Sequence, residues 1–298
     1  MKIITAEEIN SLRISPLTCV EWVTDSFKMK YDSQCPAKMS VHPTGNDFIT
    51  TMPALLPNET QTFGVKVVSR VNGRHPALHS DLLLFDTITG KIKALIDADW
   101  ITAMRTGAVA ALTMKTLRKR GANNISIVGL GSTARTTMQC ILETFKDEHL
   151  HIRLMKYKDQ AERFATEFEP YTNATFSIVD NVQDFAADAE VIISCITDAQ
   201  SLLIERDELF AEGVLVIPIH TRGFQNCDLF FDKVFADDTD HVKGFRYFSK
   251  FRKFDELSRV LLNQNPGRES DKERILSYNI GLGLHDALYA YRIFNMVK

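Results

Sequence analysis

The segment 125–139 constrains the fold more than any other part of the 298-residue chain. Residues of strand character run into Gly129-Leu-Gly131-Ser-Thr-Ala134, and a helical pattern follows. Gly129 permits a tight turn, Gly131 lets the backbone approach phosphates, and Ala134 lets the helix pack on the strand. A G-x-G-x-x-A sequence in this context predicts that a dinucleotide pyrophosphate lies on the helix N-terminus. The alternative is an ordinary βα turn that carries two glycines.

Further cofactor candidates lie nearby. Ser132 and Thr133 belong to the same corner, and Thr197 follows a predicted strand at the edge where such sheets bind ligands. An acidic residue usually ends the second strand and binds the ribose of NAD. Lys156 and Lys158 stand there instead, which favours NADP(H) over NAD(H). The alternative is that both lysines are solvated loop residues.

The length of 298 residues suggests about two domains, and the spacing of apolar residues predicts an α/β protein. Strand patterns in 48–96 indicate an antiparallel sheet. From Asn124 on, strands alternate with helices, including one predicted over 206–213, which is typical of a doubly wound parallel sheet. Long helices are predicted over 100–117 and 282–297.

Composition excludes several classes of partner. The net charge of −3 and pI near 6.3 argue against nucleic acid. No apolar run is long enough to predict a membrane helix, and no signal peptide is evident. The five cysteines form no C-x-x-C pair, so neither a zinc site nor a disulfide framework is expected, and a cytoplasmic location fits. The acidic residues of 236–241 are predicted to cap a helix, and no metal site is expected.

Two basic residues stand in apolar surroundings. Arg105 lies mid-helix among small apolar residues and needs an anionic partner, because an unpaired buried charge is costly. That partner is either a ligand carboxylate or a structural aspartate. Lys66 lies between valines in a predicted strand, where it faces either solvent or a cleft.

The chain resembles the ornithine cyclodeaminase/mu-crystallin family. The resemblance rests on FGVKVVS (63–69), on LLLFDTITGKIKALIDADWITAMRTGAVAALTMKTL (82–117), on GLGSTAR (129–135) and on YNIGLGLHDALYAY (278–291). It implies a Rossmann domain, 119–269, inserted into an α+β substrate and dimerisation domain, 1–118 with 270–298. Family members use NAD or NADP on small amino or imino acids.

The resemblance also assigns roles. Arg105 matches the arginine that binds the substrate carboxylate, a role that suits its planar fork. Lys66 matches a substrate-contacting lysine and is a candidate proton donor if burial lowers its pKa. Lys38 lies where the family often has an arginine, which makes it a candidate for substrate binding; the alternative is a loop lysine in solvent. Asp286 matches the aspartate of the closing helix, with a helix-dipole role or a pair with Arg292 as alternatives.

One position departs from the family pattern. Aligning on Asp228-Leu229 places Arg222 where the cyclodeaminase has its catalytic aspartate. Arginine cannot act as a general base at neutral pH, so we expect it to bind a second acidic group. His220, two residues before it, is able to exchange protons near pH 7. The alternative for both is a structural turn.

Together with these features, the resemblance implies an NAD(P)-dependent oxidoreductase that acts on the C–N bond of a small amino or imino acid. The resemblance alone implies a homodimer. Imine reduction needs only a hydride and a proton, so it does not require the missing aspartate. One alternative is ornithine cyclodeamination with NAD recycled in each turnover. Another is a crystallin-like protein that binds NADPH and a small ligand without turnover.

Overall fold

A computed structural model describes residues 1–197, 199, 201–219, 223–224 and 229–297. The chain forms two compact units, 1–105 with 281–298 and 106–280. The resemblance implies divisions after residues 118 and 269, whereas the two units divide after residues 105 and 280.

The secondary structure comprises nine α-helices and fourteen strands among the described residues. The helices are α1 Ala6–Ser11, α2 Pro16–Lys28, α3 Asp99–Leu117, α4 Ser132–Thr144, α5 Gln160–Phe168, α6 Val182–Ala186, α7 Thr239–Val242, α8 Leu257–Leu261 and α9 Gly283–Met296. The strands of the first unit are β1 Lys2–Ile4, β2 Met39–Val41, β3 Phe48–Leu55, β4 Thr62–Arg70, β5 Leu78–Asp86 and β6 Ile92–Asp97. The strands of the second are β7 Asn124–Val128, β8 Leu150–Met155, β9 Ala174–Val179, β10 Val191–Ser194, β11 Leu215–Pro218, β12 Lys233–Ala236, β13 Asp255–Glu256 and β14 Ile275–Tyr278.

The first unit contains a six-stranded sheet in the order β1-β6-β5-β4-β3-β2. Strands β3 to β6 pair antiparallel, as the sequence predicts for 48–96. The sequence did not predict β2, which pairs antiparallel with β3, or β1, which adds a parallel edge strand. Helix α1 begins with a capping box at Thr5 and Glu8, and α2 begins with Ser15 as N-cap and Pro16 at its first turn. Both starts agree with the side-chain chemistry of helix caps.

Small residues bring α9 close to this sheet. A methyl group added at Gly64 of β4 would lie 2.8 Å from the Cβ of Ala287 on α9. One added at Gly283 would lie 2.8 Å from the carbonyl oxygen of Met52 on β3. Because real Cβ atoms do not approach this closely, the helix reaches its position only with glycine at both sites.

The second unit contains an eight-stranded sheet in the order β13-β12-β14-β11-β10-β7-β8-β9, and all of its pairs are parallel. The predicted doubly wound sheet is therefore confirmed. Its strands are buried on both faces near the centre, where β10 and β11 are wholly buried, as helix-covered parallel sheets require. Helix α4 packs against α3 so closely that a methyl group at Gly107 would lie 2.5 Å from backbone atoms of Thr136.

The helix predicted over 206–213 is wrong. Only a single 3-10 turn forms at Asp207–Leu209, because Phe210 is fixed in the core and Gly213 takes a positive φ of 80°. The region after Leu229 contains β12, α7, β13 and α8. Within it, Phe245, Phe248, Phe251 and Phe254 are partly buried against the core.

No helix in the described ranges combines the length and the apolar character that crossing a membrane requires.

Candidate functional site

The first candidate site is an ion cluster within the first unit. Lys66 Nζ lies 2.8 Å from Asp286 Oδ1, and Arg105 Nε lies 3.1 Å from the same oxygen. Lys66 and Asp286 are fully buried, and the Arg105 side chain is 9% exposed. The structure thus brings together the two cations that the sequence singled out and pairs both with one carboxylate.

Three elements position the cluster. Lys66 lies on the α9 side of β4, two residues beyond Gly64, and Asp286 precedes Ala287, which packs on that glycine. Arg105 projects from α3. The close approach of α9 at Gly64 therefore places Asp286 within hydrogen-bond distance of Lys66.

The protonation states follow from burial and charge. Burial by itself would raise the pKa of Asp286, but Arg105 and Lys66 outweigh it, and the pKa is lowered. The pKa of Lys66 is lowered to about 7, first by burial and then by the charge of Arg105, against the opposing effect of Asp286. Lys66 is therefore able to release or take up a proton near neutral pH, whereas Asp286 stays ionised.

Arg105 is not saturated by this pair. Its Nε donates to Asp286 Oδ1, and its Nη1 and Nη2 groups donate no hydrogen bond to any residue that the structure describes. Two cations share one carboxylate, so the cluster carries an excess of positive charge. A fork of two N–H groups beside that charge matches the geometry of a carboxylate.

Sequence reasoning missed His285, which is fully buried beside Asp286. Its Nδ1 lies 2.6 Å from Ser26 Oγ, and that hydroxyl donates to the carbonyl of Val23 at 2.7 Å. The hydroxyl has a single proton, so the ring must donate from Nδ1 and Nε2 is an acceptor. Burial and the charge of Arg105 lower the pKa of His285 to about 3, so the ring is neutral. A polar residue in the apolar run LGLHDALYAY was the available signal.

Lys38 is the third candidate for substrate binding. It is exposed in the loop before β2, and its charge contributes to lowering the pKa of Lys66. Its proposed substrate contact stays a prediction.

The second candidate site is the glycine corner 129–134, within the second unit. Gly129 has a φ of 81°, and a methyl group there would lie 2.6 Å from the backbone carbon of Cys195. Gly131 is the N-cap of α4 and makes no side-chain cap. A methyl group at Gly131 would meet nothing within 4 Å, so this glycine leaves open space at a helix N-terminus. Ala134 is fully buried, which agrees with its packing role.

This geometry fits a dinucleotide pyrophosphate. The first-turn N–H groups of α4, including those of Ser132 and Thr133, have no carbonyl of their own helix to bind. The helix dipole favours an anion at this end. The corner would hold the cofactor phosphates in the space that a side chain at Gly131 would fill.

The remaining cofactor candidates are surface residues. Lys156 Nζ lies 3.3 Å from Glu162 Oε1, with both side chains about half exposed. Lys158 has a positive φ of 52°, and its Nζ lies 5.3 Å from the centre of the Tyr157 ring. Thr197 is exposed after β10, whereas Cys195 is buried and its thiol pKa is raised by burial to about 12.

His220 and Arg222 lie outside the described residues, so their predicted roles stay predictions. Within the ranges that the structure describes, no group of three histidine, cysteine, aspartate or glutamate residues is placed to hold a metal ion.

The model of the ornithine cyclodeaminase/mu-crystallin family matches residues 1–298. The N-((2S)-2-amino-2-carboxyethyl)-L-glutamate dehydrogenase of Staphylococcus aureus is 25% identical over 272 residues, which cover 85% of this chain and 80% of the relative.

Two solved structures share the fold at low sequence identity. The Thermococcus litoralis Delta(1)-pyrroline-2-carboxylate reductase, in complex with NADH and L-proline, has a TM-score of 0.84 at 21% identity and covers 99% of this chain and 97% of its own. An archaeal alanine dehydrogenase dimer with bound NAD has a TM-score of 0.84 at 21% identity, with coverage of 99% and 95%. The architecture of both units therefore occurs in known nicotinamide-binding proteins.

Proposed function

Since the chain belongs to the ornithine cyclodeaminase/mu-crystallin family, we propose that it is an NAD(P)-dependent oxidoreductase of the C–N bond. It reduces a small imino acid or oxidises the matching amino acid. The observation that carries this proposal is the buried cluster in which Lys66 and Arg105 share Asp286 Oδ1. The relatives named above act on amino or imino acids of this kind.

Arg105 receives the substrate carboxylate. Its Nη1 and Nη2 make two parallel hydrogen bonds to the carboxylate oxygens, while Nε stays on Asp286. Holding the acid group in one orientation places the neighbouring C–N carbon at a fixed point, which lowers the entropic barrier to reaction. Lys38 adds positive charge that favours the approach of the anionic substrate.

Lys66 is the proposed proton donor. Reduction of C=N forms one C–H bond from a hydride and one N–H bond from a proton. The hydride would come from a nicotinamide dinucleotide held at residues 129–134. The proton comes from Lys66 Nζ, whose pKa of about 7 allows transfer at neutral pH. His220 is the second candidate for this role, and Arg222 is proposed to bind a further acidic group of the substrate.

The glycine corner holds the cofactor phosphates. Gly129, Gly131 and Ala134 shape the turn, and the N–H groups of Ser132 and Thr133 face the pyrophosphate. Lys156 and Lys158 follow β8, where the adenine ribose binds in folds of this kind. They favour NADP(H), although Glu162 neutralises part of the charge of Lys156, so the preference over NAD(H) is modest. Thr197 is the last residue that we propose as a contact to the cofactor.

The assembly that we propose is a homodimer formed through the first unit's sheet. Phe63, Val65 and Val67 on β4 and Leu83 and Phe85 on β5 lie on the face opposite Lys66 and are only partly buried. Partly exposed apolar side chains that lie together on one face of a sheet are typical of an interface. Light scattering that gives a monomer mass would contradict this part. A cytoplasmic location stays a prediction.

The test follows the loss of absorbance of the reduced nicotinamide cofactor with two imines, one that carries a carboxylate and one that does not. We expect turnover of a five-membered cyclic imine that carries a carboxylate, such as Δ1-pyrroline-2-carboxylate, and far less with 1-pyrroline, which lacks it. Saturable NADPH binding with no turnover on imino acids, or on 2-oxo acids with ammonia, would instead indicate a binding protein. Release of ammonia from ornithine with catalytic NAD would indicate a cyclodeaminase.

A further inference from the structure

The backbone at Gly281 lies directly against the guanidinium of Arg105. Gly281 has a φ of 86°, and a methyl group added there would collide with Nη1 of Arg105. The same methyl would lie 2.9 Å from Cζ and 3.2 Å from Nη2. The guanidinium therefore occupies the space in which the side chain of any other residue at position 281 would begin.

This contact differs from those of the other tightly packed glycines. Gly64 approaches a methyl group of Ala287, and Gly107 and Gly283 approach backbone atoms of neighbouring elements. Among the described glycines, Gly281 alone has a charged side-chain group as its nearest neighbour. The need for glycine at 281 therefore concerns the position of a functional group as well as the packing of helices and strands.

We infer that Gly281 is a positioning residue that fixes the plane of the Arg105 fork, and this inference rests on the proposed role of Arg105 in binding the substrate carboxylate. Asp286 Oδ1 holds Nε on one side. That single hydrogen bond leaves the planar group free to swing about its anchor. The bare Cα of Gly281, packed against Nη1 and Cζ, removes this freedom.

Orientation matters because bidentate binding is geometric. The two N–H groups of the fork bind both carboxylate oxygens only when the guanidinium and the carboxylate are nearly coplanar. A catalytic or binding group must be held within about 0.5 Å and 10–20° of its working geometry. Gly281 and Asp286 belong to one segment that leads into and along α9, so one piece of chain supplies both the anchor and the support.

The experiment is the Gly281→Ala variant assayed with paired substrates. We expect KM for the carboxylate-bearing imine to rise at least tenfold, because the displaced fork no longer binds both oxygens. The dissociation constant for the reduced nicotinamide cofactor, and KM for the carboxylate-free imine, should change less than twofold. An unchanged KM for the carboxylate-bearing imine would overturn the inference.

The matched control is Gly73→Ala. Gly73 also has a positive φ, 81°, but a methyl group there would meet nothing within 4 Å. This variant carries the same kind of backbone strain without touching Arg105, and KM should stay as in the wild type. An equal rise of KM in both variants would attribute the effect to backbone strain and contradict the inference.

Arg105→Lys separates the inference from the proposed function. Lysine has no planar fork, so adding Gly281→Ala to Arg105→Lys should change KM less than twofold. If Arg105→Lys alone left KM for the carboxylate substrate unchanged, the proposed role of Arg105 would fail. If Arg105→Lys raised KM and Gly281→Ala did not, only the positioning role would fail.

A folding defect would also be informative. If Gly281→Ala does not accumulate as folded protein, the double variant Arg105→Ala/Gly281→Ala should fold with a thermal midpoint close to that of Arg105→Ala alone, since the colliding group is gone. A double variant that remained unfolded while Arg105→Ala folded would contradict the contact as the cause.

Discussion

The charged cluster at Lys66, Asp286 and Arg105 and the glycine corner 129–134 are both suited to anions, but they are built in opposite ways. The cluster uses buried side-chain charges, two cations held around one shared carboxylate. The corner uses backbone N–H groups and the absence of side chains. A change in the cluster should therefore affect stability and binding together, whereas a change in the corner is able to affect binding alone.

The largest expected effect comes from removing the shared carboxylate. Asp286→Asn leaves Lys66 and Arg105 buried without their counter-charge, and breaking a buried ion pair in this way costs roughly 3–5 kcal/mol. The free energy of unfolding in urea measures this loss. The control is Asp25→Asn, which removes the partially exposed partner of Arg292 and should cost about 1 kcal/mol or less. Equal losses of unfolding free energy in the two variants would contradict the role of Asp286 as the counter-charge of Lys66 and Arg105.

Gly131→Ala should affect the corner without affecting the fold. Its φ is −86°, which alanine tolerates, and the added methyl meets nothing in the protein. Stability should stay within about 0.5 kcal/mol of the wild type. Cofactor affinity, titrated by nicotinamide fluorescence, should fall by about tenfold or more, equivalent to roughly 1.4 kcal/mol.

Gly244→Ala is the matched change at a position that is also open and has no positive φ, and it should leave affinity unchanged. Wild-type affinity in Gly131→Ala would show that the pyrophosphate does not approach this glycine.

The lowered pKa of Lys66 predicts a pH dependence of stability to which the glycine corner does not contribute. Its folded pKa is about 7, whereas an unfolded lysine titrates near 10.4. Between these values the unfolded state binds more protons, so the Lys66 contribution to stability rises with pH, by up to about 1.4 kcal/mol per unit. Urea unfolding at pH 6.5 and pH 9 measures it.

The uncharged variant Lys66→Met should lack this contribution. The stability difference between wild type and variant must then shift in favour of the wild type as pH rises through 7. A constant difference across this range would mean that Lys66 keeps its proton in the folded state.

The smallest effect is expected at the edge of the second unit. Lys156→Ala removes an exposed charge, so NADPH affinity should fall less than about tenfold while NADH affinity stays constant. Lys146→Ala, at another exposed lysine, should alter neither. An equal change for NADPH and NADH would exclude Lys156 from 2′-phosphate binding.

The sequence predicted the parts of both regions that depend on local chemistry. The glycine spacing located the corner, and an arginine inside an apolar helix required an anion, which the structure identifies as Asp286. The alternative partner for that aspartate, Arg292, pairs with Asp25 instead. The sheet types followed from the alternation of apolar residues.

The parts that depend on distant contacts could not be predicted. The tautomer of His285 is set by Ser26, 259 positions away, and no local pattern links the two. The support that Gly281 gives to Arg105 likewise joins residues far apart in the chain. The 3-10 turn at 207–209 arises because tertiary packing of Phe210 prevails over weak helix propensity in a short segment.

One contact also bears on how the chain is assembled. The first unit ends its N-terminal segment at Arg105 and resumes at Gly281, and these two residues touch. The chain thus leaves the first unit and re-enters it at two residues that are in contact. Because these two residues lie in contact, the segment inserted between them does not have to span the first unit.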